Sequence, residues 1–136
     1  MLSGILETVL YVDDLDEAES FYGNLLGLTR DSRKDGLFVF FRLGEQMLLI
    51  FQRSAAKTAR SVPAHGTDGA GHVCFSVAES ELATWEDRLC SNGVTIEQHQ
   101  EWPRGGSSFY FRDPAGNSLE IATPRIWGFP DCGDKR

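Results

Sequence analysis

Phe111-Arg112-Asp113-Pro114-Ala115-Gly116-Asn117-Ser118-Leu119-Glu120-Ile121-Ala122 reads as two strands joined by a tight turn. Asp at the first corner, Pro at the second and Gly at the fourth are the residues a type I turn favours. Ser107 to Arg112 before it and Ser118 to Ala122 after it are then antiparallel strands. Working back from that hairpin, Val94 to Glu97 reads as a further strand. Leu82, Trp85 and Leu89 form a helical stripe that Asn92-Gly93 ends, and His72 to Val77 is an opening strand.

The first half repeats this plan. Ile5 to Val12 is an apolar, β-branched strand, stopped by Asp13-Asp14. Asp14 with Glu17 three residues on resembles a capping box with Asp as N-cap. Leu15, Ala18, Phe21 or Tyr22, and Leu25 or Leu26 recur at helical spacing, and Gly27 stands where a helix-ending glycine belongs. A polar break at Asp31 to Gly36 precedes a strand at Leu37 to Leu43. A turn at Gly44-Glu45-Gln46 leads into a strand at Met47 to Phe51. The order is β-α-β-β-β twice, with an aperiodic, Ser-, Ala- and Gly-rich stretch from Arg53 to Gly71 between the halves. Counting confirms the repeat: Glu7 lies five residues before Val12, as His72 lies five before Val77. Val12 to Gly27 spans 15 residues and Val77 to Gly93 spans 16.

Strand alternation then sorts the faces. Glu7 shares a face with Val9 and Tyr11, His72 with Cys74 and Ser76, and Glu120 with Ser118 and Ala122. The opposite faces carry Leu10, Val12, Val73, Phe75, Val77, Leu119 and Ile121, which want the helices. Three potential metal ligands therefore fall on the faces turned away from the helices, which are expected to be the more polar ones. The first-half counterpart of Glu120 is Leu49.

The chain has 136 residues, enough for one domain with its own core. Thirteen basic against twenty acidic residues give a net charge of −7. That balance speaks against nucleic acid and anionic membrane as partners, since both need a basic footprint. Cys74, Cys90 and Cys132 include no Cys-x-x-Cys pair and read as reduced thiols. Met1 to Val12 lacks the basic start of a signal peptide, and no apolar run reaches membrane-spanning length, so the cytoplasm is the expected location. No Ser-His-Asp order, phosphate loop or dinucleotide fingerprint is present; Gly69-Ala70-Gly71 precedes a strand, not a helix.

The segments Glu7-Thr8-Val9-Leu10-Tyr11-Val12-Asp13-Asp14-Leu15, Phe21-Tyr22, Leu26-Gly27-Leu28, Gly71-His72-Val73 and Phe111 to Glu120 together resemble the vicinal oxygen chelate superfamily. That superfamily is the glyoxalase, bleomycin-resistance and dioxygenase group. The resemblance implies an α+β fold of two tandem βαβββ modules forming a curled mixed sheet around a cleft. One such domain covers 4–124, with module one at about 4–53, a linker loop at about 54–70 and module two at about 71–124. A C-terminal tail at 125–136 is expected to drape over the surface. It also implies a divalent metal in the cleft (Mn, Co, Ni, Mg, Zn or Fe) on ligand positions that fall at Glu7, His72 and Glu120. Two carboxylates and one imidazole, completed by water, suit a hard or borderline divalent ion. Leu49 falls where glyoxalase I would place a fourth, carboxylate ligand. Glu7 stands where the dioxygenases carry His. Both departures count against those two activities.

The expectation is therefore a metal-dependent enzyme acting on a small substrate with vicinal oxygens, by lyase, isomerase or transferase chemistry. The metal would stabilise an enolate or oxyanion. Glu120 would serve as a ligand and, when detached, as the catalytic proton shuttle. Tyr11, Cys74, His65, Arg104 and Tyr110 are the candidate substrate contacts. His65 in the linker is read either as a fourth ligand or substrate contact, or as an exposed loop residue. Trp102-Pro103-Arg104-Gly105-Gly106 is either a loop gripping an anionic or aromatic ligand or a plain hairpin loop with a packed Trp. His99 is expected to be solvated. The rival function is a non-catalytic binding protein that sequesters a flat small molecule or antibiotic in the same cleft. The implied assembly is a homodimer.

Overall fold

A computed structural model describes residues 1–58 and 60–132. The elements run β1 (Glu7–Val12), α1 (Leu15–Glu19), a π-helical turn (Ser20–Leu25), β2 (Thr29–Lys34), β3 (Phe38–Leu43), β4 (Gln46–Gln52), α2 (Arg53–Ala56), β5 (His72–Ser76), a 3₁₀ turn (Glu79–Glu81), α3 (Leu82–Ser91), β6 (Gln98–Glu101), β7 (Ser107–Arg112), β8 (Ser118–Ala122) and a 3₁₀ turn (Pro124–Trp127). They group into two compact units. The first is Met1–Gly71 with Asp113–Asn117; the second is His72–Arg112 with the described residues from Ser118 onward. Ala59 in the expected linker and residues 133–136 of the expected tail lie outside the described residues.

The expected curled mixed sheet around a cleft is not what forms. The described strands make two separate four-stranded sheets, ordered β1-β4-β3-β2 and β5-β8-β7-β6, and neither is closed. The physical reason is pairing. A single curled sheet needs the opening strands of the halves to be joined by a ladder. Each opening strand instead takes the last strand of its own half as its parallel partner and stays at the edge, β1 with β4 and β5 with β8. The other two pairings of each sheet are antiparallel.

In the first unit, Asp14 caps α1 by accepting from the amides of Asp16 and Glu17. Leu15, Ala18, Phe21, Tyr22 and Leu26 form the buried stripe, against Leu10, Val12, Val39, Phe41, Leu48 and Ile50 of the sheet. The helix does not stay α to its end. Leu26 N–H reaches back to Phe21 C=O at 2.9 Å, the widened repeat of a π turn. Gly27 at φ +75° then reverses the chain, a conformation open to glycine at little cost.

Two strands differ from expectation. β2 lies in the stretch read as a polar break, and β6 lies four residues beyond the expected Val94 to Glu97. Both are polar edge strands, so hydrophobic patterning does not announce them; polar side chains also guard a free edge from pairing with other chains. The β2 ladder skips Asp31 between Arg30 and Ser32, and Asp31 accepts from Arg42 Nε at 2.8 Å.

The turn Asp113 to Gly116 closes as expected, with Gly116 N–H on Asp113 C=O at 3.0 Å. Its flanking side chains form a fully paired buried node. Asp113 accepts from Tyr22 Oη (2.7 Å), Asn117 Nδ2 (2.8 Å), Ala115 N–H and Asn117 N–H. Asn117 in turn donates to Tyr11 C=O (2.9 Å) and accepts from Gly71 N–H (2.8 Å). The carboxylate and hydrogen bond push the buried Tyr22 phenol well above its ordinary range, after desolvation as the larger cause. Asn117→Ala removes a partner from several buried groups at once and is expected to cost about 3 kcal/mol, whereas Tyr22→Phe removes one bond and is expected to cost about 1 kcal/mol. Urea unfolding of the two variants beside the parent chain measures both.

Candidate metal and substrate site

The second unit gathers four of the expected site residues on one sheet face. β8 is flanked by β5 and β7, which places Glu120 directly between Cys74 and Tyr110. His72, one pleat earlier on β5 and paired with Ser118, leans over the same face. Its Nδ1 lies 2.9 Å from the Ser118 carbonyl. A carbonyl only accepts, so Nδ1 carries the proton, and Nε2 of the neutral ring is left with its lone pair. That Nε2 lies 3.4 Å from Glu120 Oε1. Two acceptors facing each other at this range need a cation between them or a second proton on the ring.

Glu120 sharpens the point. It is 5% exposed, and its Oε2 is buried with no hydrogen-bond partner among the described residues. A buried carboxylate oxygen without a donor is costly, and the Cys74 thiol and Tyr110 phenol beside Glu120 are the hydrogen-bonding neighbours of that carboxylate. Desolvation, then the Glu120 carboxylate, push the Cys74 thiol up to about 12 although the residue is exposed at the surface. The same two causes raise the Tyr110 phenol. Both side chains therefore stay protonated at neutral pH. The Tyr110 and His72 rings lie near parallel, 6.3 Å apart.

Beside this pair is a cavity of about 430 Å³, bordered by His72, Cys74, Glu120, Trp102, Arg104 and Trp127 among others. The Trp102–Gly106 loop is built for this border. Trp102 Nε1 donates to Ser108 Oγ at 2.9 Å, fixing the indole. Arg104 donates to Trp127 C=O at 3.1 Å and its guanidinium sits 5.9 Å from the Trp127 ring. Gly106 is at φ +81°, and a Cβ there would meet Thr123 Oγ1 at 2.6 Å, so no other residue fits. The loop thus packs against the 3₁₀ turn Pro124–Trp127. Ile126 and Trp127 also line the cavity, where the sequence pattern leads one to expect a draping tail. Proline at the start of a short apolar run was the available signal.

Glu7, Tyr11 and His65 lie in the first unit, on a face that is not the polar one expected. Glu7 is exposed at the start of an edge strand, and its neighbour Leu6 is 71% exposed, so no burial argument bears on its charge. Val9, Tyr11, Leu49, Phe51, Phe38 and Phe40 make the rest an apolar, aromatic surface. Leu49 holds the ladder position opposite Val9 that Glu120 holds opposite Cys74, and it packs among these rings instead of offering a ligand. His65 is not a free loop residue. Nδ1 and Tyr11 Oη share a hydrogen bond, and Nε2 is 3.0 Å from Arg60. His99 pairs with Glu86 at 2.7 Å.

Among the described residues, no three His, Cys, Asp or Glu side chains converge as a complete metal cage. His72 and Glu120 nevertheless fit a divalent ion chemically. They present an imidazole lone pair held by a second hydrogen bond and a carboxylate with an unpartnered oxygen, the donor types borderline metals take. They would supply part of a ligand shell. Also among the described residues, no helix is long and apolar enough to cross a membrane.

The sequence profile of the Glyoxalase/Bleomycin resistance protein/Dioxygenase superfamily matches residues 4–121. A glutathione transferase, FosA, of Serratia marcescens is 32% identical over 121 residues, covering 89% of this chain and 81% of its own length. A metallothiol transferase, FosB, of Shouchella clausii is 26% identical, covering 90% of this chain and 82% of its own. Among solved structures, a lactoylglutathione lyase from Agrobacterium tumefaciens superposes with a TM-score of 0.90 at 42% identity, covering 94% of this chain and 98% of its own. The match over most of the chain, with two β-α-β-β-β units in the order the fold requires, means that this chain belongs to the Glyoxalase/Bleomycin resistance protein/Dioxygenase superfamily.

Proposed function

We propose that the chain is a divalent-metal-dependent enzyme acting on a small substrate with adjacent oxygens, in which His72 and Glu120 hold the metal. One observation carries this reading: His72 Nε2 faces Glu120 Oε1 at 3.4 Å while Glu120 Oε2 lies buried and unpartnered. Glu7 joins the proposed ligand set on its sequence register with His72 alone. When bound, the ion supplies a Lewis acid for an enolate or oxyanion.

The protein's own groups divide the remaining work. The Ser118 carbonyl holds His72 in one tautomer and one orientation. Among the described residues Glu120 is the carboxylate at the centre of this face, and it would take up or return a proton there. Cys74 and Tyr110, both protonated, flank Glu120 as neutral neighbours and add no competing charge. Arg104 offers a fixed cation to an anionic part of the substrate. Trp102 and Trp127 cover the cavity border and limit access of water. The relatives are named as transferases and a lyase of thiol compounds, which favours transferase or lyase chemistry over an oxygenase. Self-association into a homodimer is part of the same proposal. It is supported by large apolar side chains left exposed in the single chain, Leu2, Ile5, Leu6, Trp127 and Phe129. Sedimentation at rising concentration tests it.

A second reading, a sequestering protein without chemistry, draws support from the aromatic face of the first unit. Metal dependence separates the two. Mn, Co, Ni, Zn or Mg is expected to raise the melting temperature of chelator-stripped protein by several degrees, because a ligand bound only by the folded state stabilises it. The effect should vanish in His72→Ala and in Glu120→Gln, and elemental analysis should follow it; equal metal in parent and variants sinks the catalytic reading. The thiol state of the chelator-stripped protein gives a separate prediction. With its pKa near 12, Cys74 is expected to react with a thiol reagent at pH 8 well over tenfold more slowly than an unperturbed thiol, since only the thiolate attacks. Reaction rates of single-cysteine variants keeping Cys74 or Cys90 measure this.

A further inference from the structure

The sheet face of the first unit carries a second cavity, of about 1010 Å³, with Glu7 of the proposed ligand set at one end and a cationic end that the metal reading does not use. Its floor is aromatic. Phe38 and Phe40 stack at 3.9 Å, and Phe51 meets both edge-on at 5.9 and 5.4 Å. Its wall is the segment after α2, where His65 stands edge-on to Phe51 at 4.7 Å and the Arg60 guanidinium lies 5.2 Å from the Phe51 ring.

The two ends of the floor differ in charge. The ladder places Tyr11, Phe51, Phe38 and Lys34 in one row, next to Arg60. Glu7 lies in the row of Met47, four residues back along β1, about 13 Å away at strand spacing. One end is cationic and the other acidic.

Hydrogen-bond counting shows what the cationic end lacks. A guanidinium has five N–H donors. Arg60 uses Nη1 on the carbonyls of Ala56 and Thr58, and one Nη2 donor on His65 Nε2. Nε–H and the second Nη2–H have no partner among the described residues, and no carboxylate pairs with Arg60 there. Nε–H and one Nη2–H are thereby left to an anion's oxygens. Because His65 Nε2 accepts from Arg60, Nδ1–H must donate to Tyr11 Oη. The Tyr11 hydroxyl proton is thereby left to a further acceptor at the same end.

We propose that this cavity binds a planar aromatic carboxylate, its ring against Phe38, Phe40 and Phe51 and its carboxylate on Arg60 with Tyr11 as the second donor. The proposal rests on the reading of the chain as a protein of small-molecule ligands, and it names their class. Charge complementarity selects this occupant over a neutral aromatic. The aromatic floor selects it over an aliphatic acid.

The test is calorimetry of the full chain with 1-naphthoate, 1-naphthalenemethanol and cyclohexanecarboxylate, in chelator so that no metal bridges the carboxylate. Naphthoate is expected to bind more tightly than either control. Arg60→Gln is expected to weaken naphthoate at least about tenfold while leaving naphthalenemethanol unchanged, with Arg60→Lys in between. Melting curves verify that the variants fold; if Arg60→Gln does not, Arg60→Lys against the parent carries the comparison. Absence of naphthoate binding overturns the proposal. So does equal binding of cyclohexanecarboxylate, or indifference to Arg60→Gln. A parent chain that binds no naphthoate while Phe40→Ser shifts it from dimer to monomer also overturns it, and assigns the face to a second copy of the chain. Failure here with His72-dependent metal binding intact sinks only this inference; loss of metal binding with naphthoate binding intact sinks only the metal reading.

Discussion

Both candidate sites of this chain depend on the parallel pairing of the first strand of each half with the last. β5 and β8 are joined in register, so His72 stands beside Ser118 and Cys74 beside Glu120. Without that ladder, His72 and Glu120 would be side chains at opposite ends of a half, with no reason to meet. The same pairing in the first half sets Glu7, Val9 and Tyr11 beside Met47, Leu49 and Phe51. One topological rule, applied twice, builds two faces of opposite character.

The contrast between those faces turns on single positions. Glu120 places a carboxylate in the middle of the second sheet, where burial makes an unpartnered oxygen expensive and a cation valuable. Leu49 holds the matching ladder position in the first sheet and completes an aromatic cluster instead. A repeated backbone plan thus carries a buried carboxylate in one half and an aromatic face in the other. The charged residues of the first face, Glu7, Lys34 and Arg60, stand at its margins.

Much of this was legible in the residues. The Asp113 to Gly116 turn, the Asp14 cap, the Gly27 stop and the strands Ser107–Arg112 and Ser118–Ala122 form where local chemistry placed them. The reason is that turns, caps and alternating strands are decided within a few residues. The polar edge strands β2 and β6 were not legible as strands there, because an edge strand need bury neither face. Nor was the lining role of Ile126 and Trp127, which depends on a loop some twenty residues earlier in the chain packing against them.

By itself the sequence determined that the two halves repeat one plan and on which side of each strand Glu7, His72 and Glu120 fall, because alternation and spacing are local and additive; the resemblance of its motifs gave the family. Only the tertiary structure decided that the halves form two open sheets and not a curled one, that His72 keeps its proton on Nδ1, that Glu120 is buried with a bare oxygen, and that Arg60 anchors His65 at an aromatic wall. Those outcomes depend on which hydrogen-bond partners arrive from distant segments, and no local pattern carries that information.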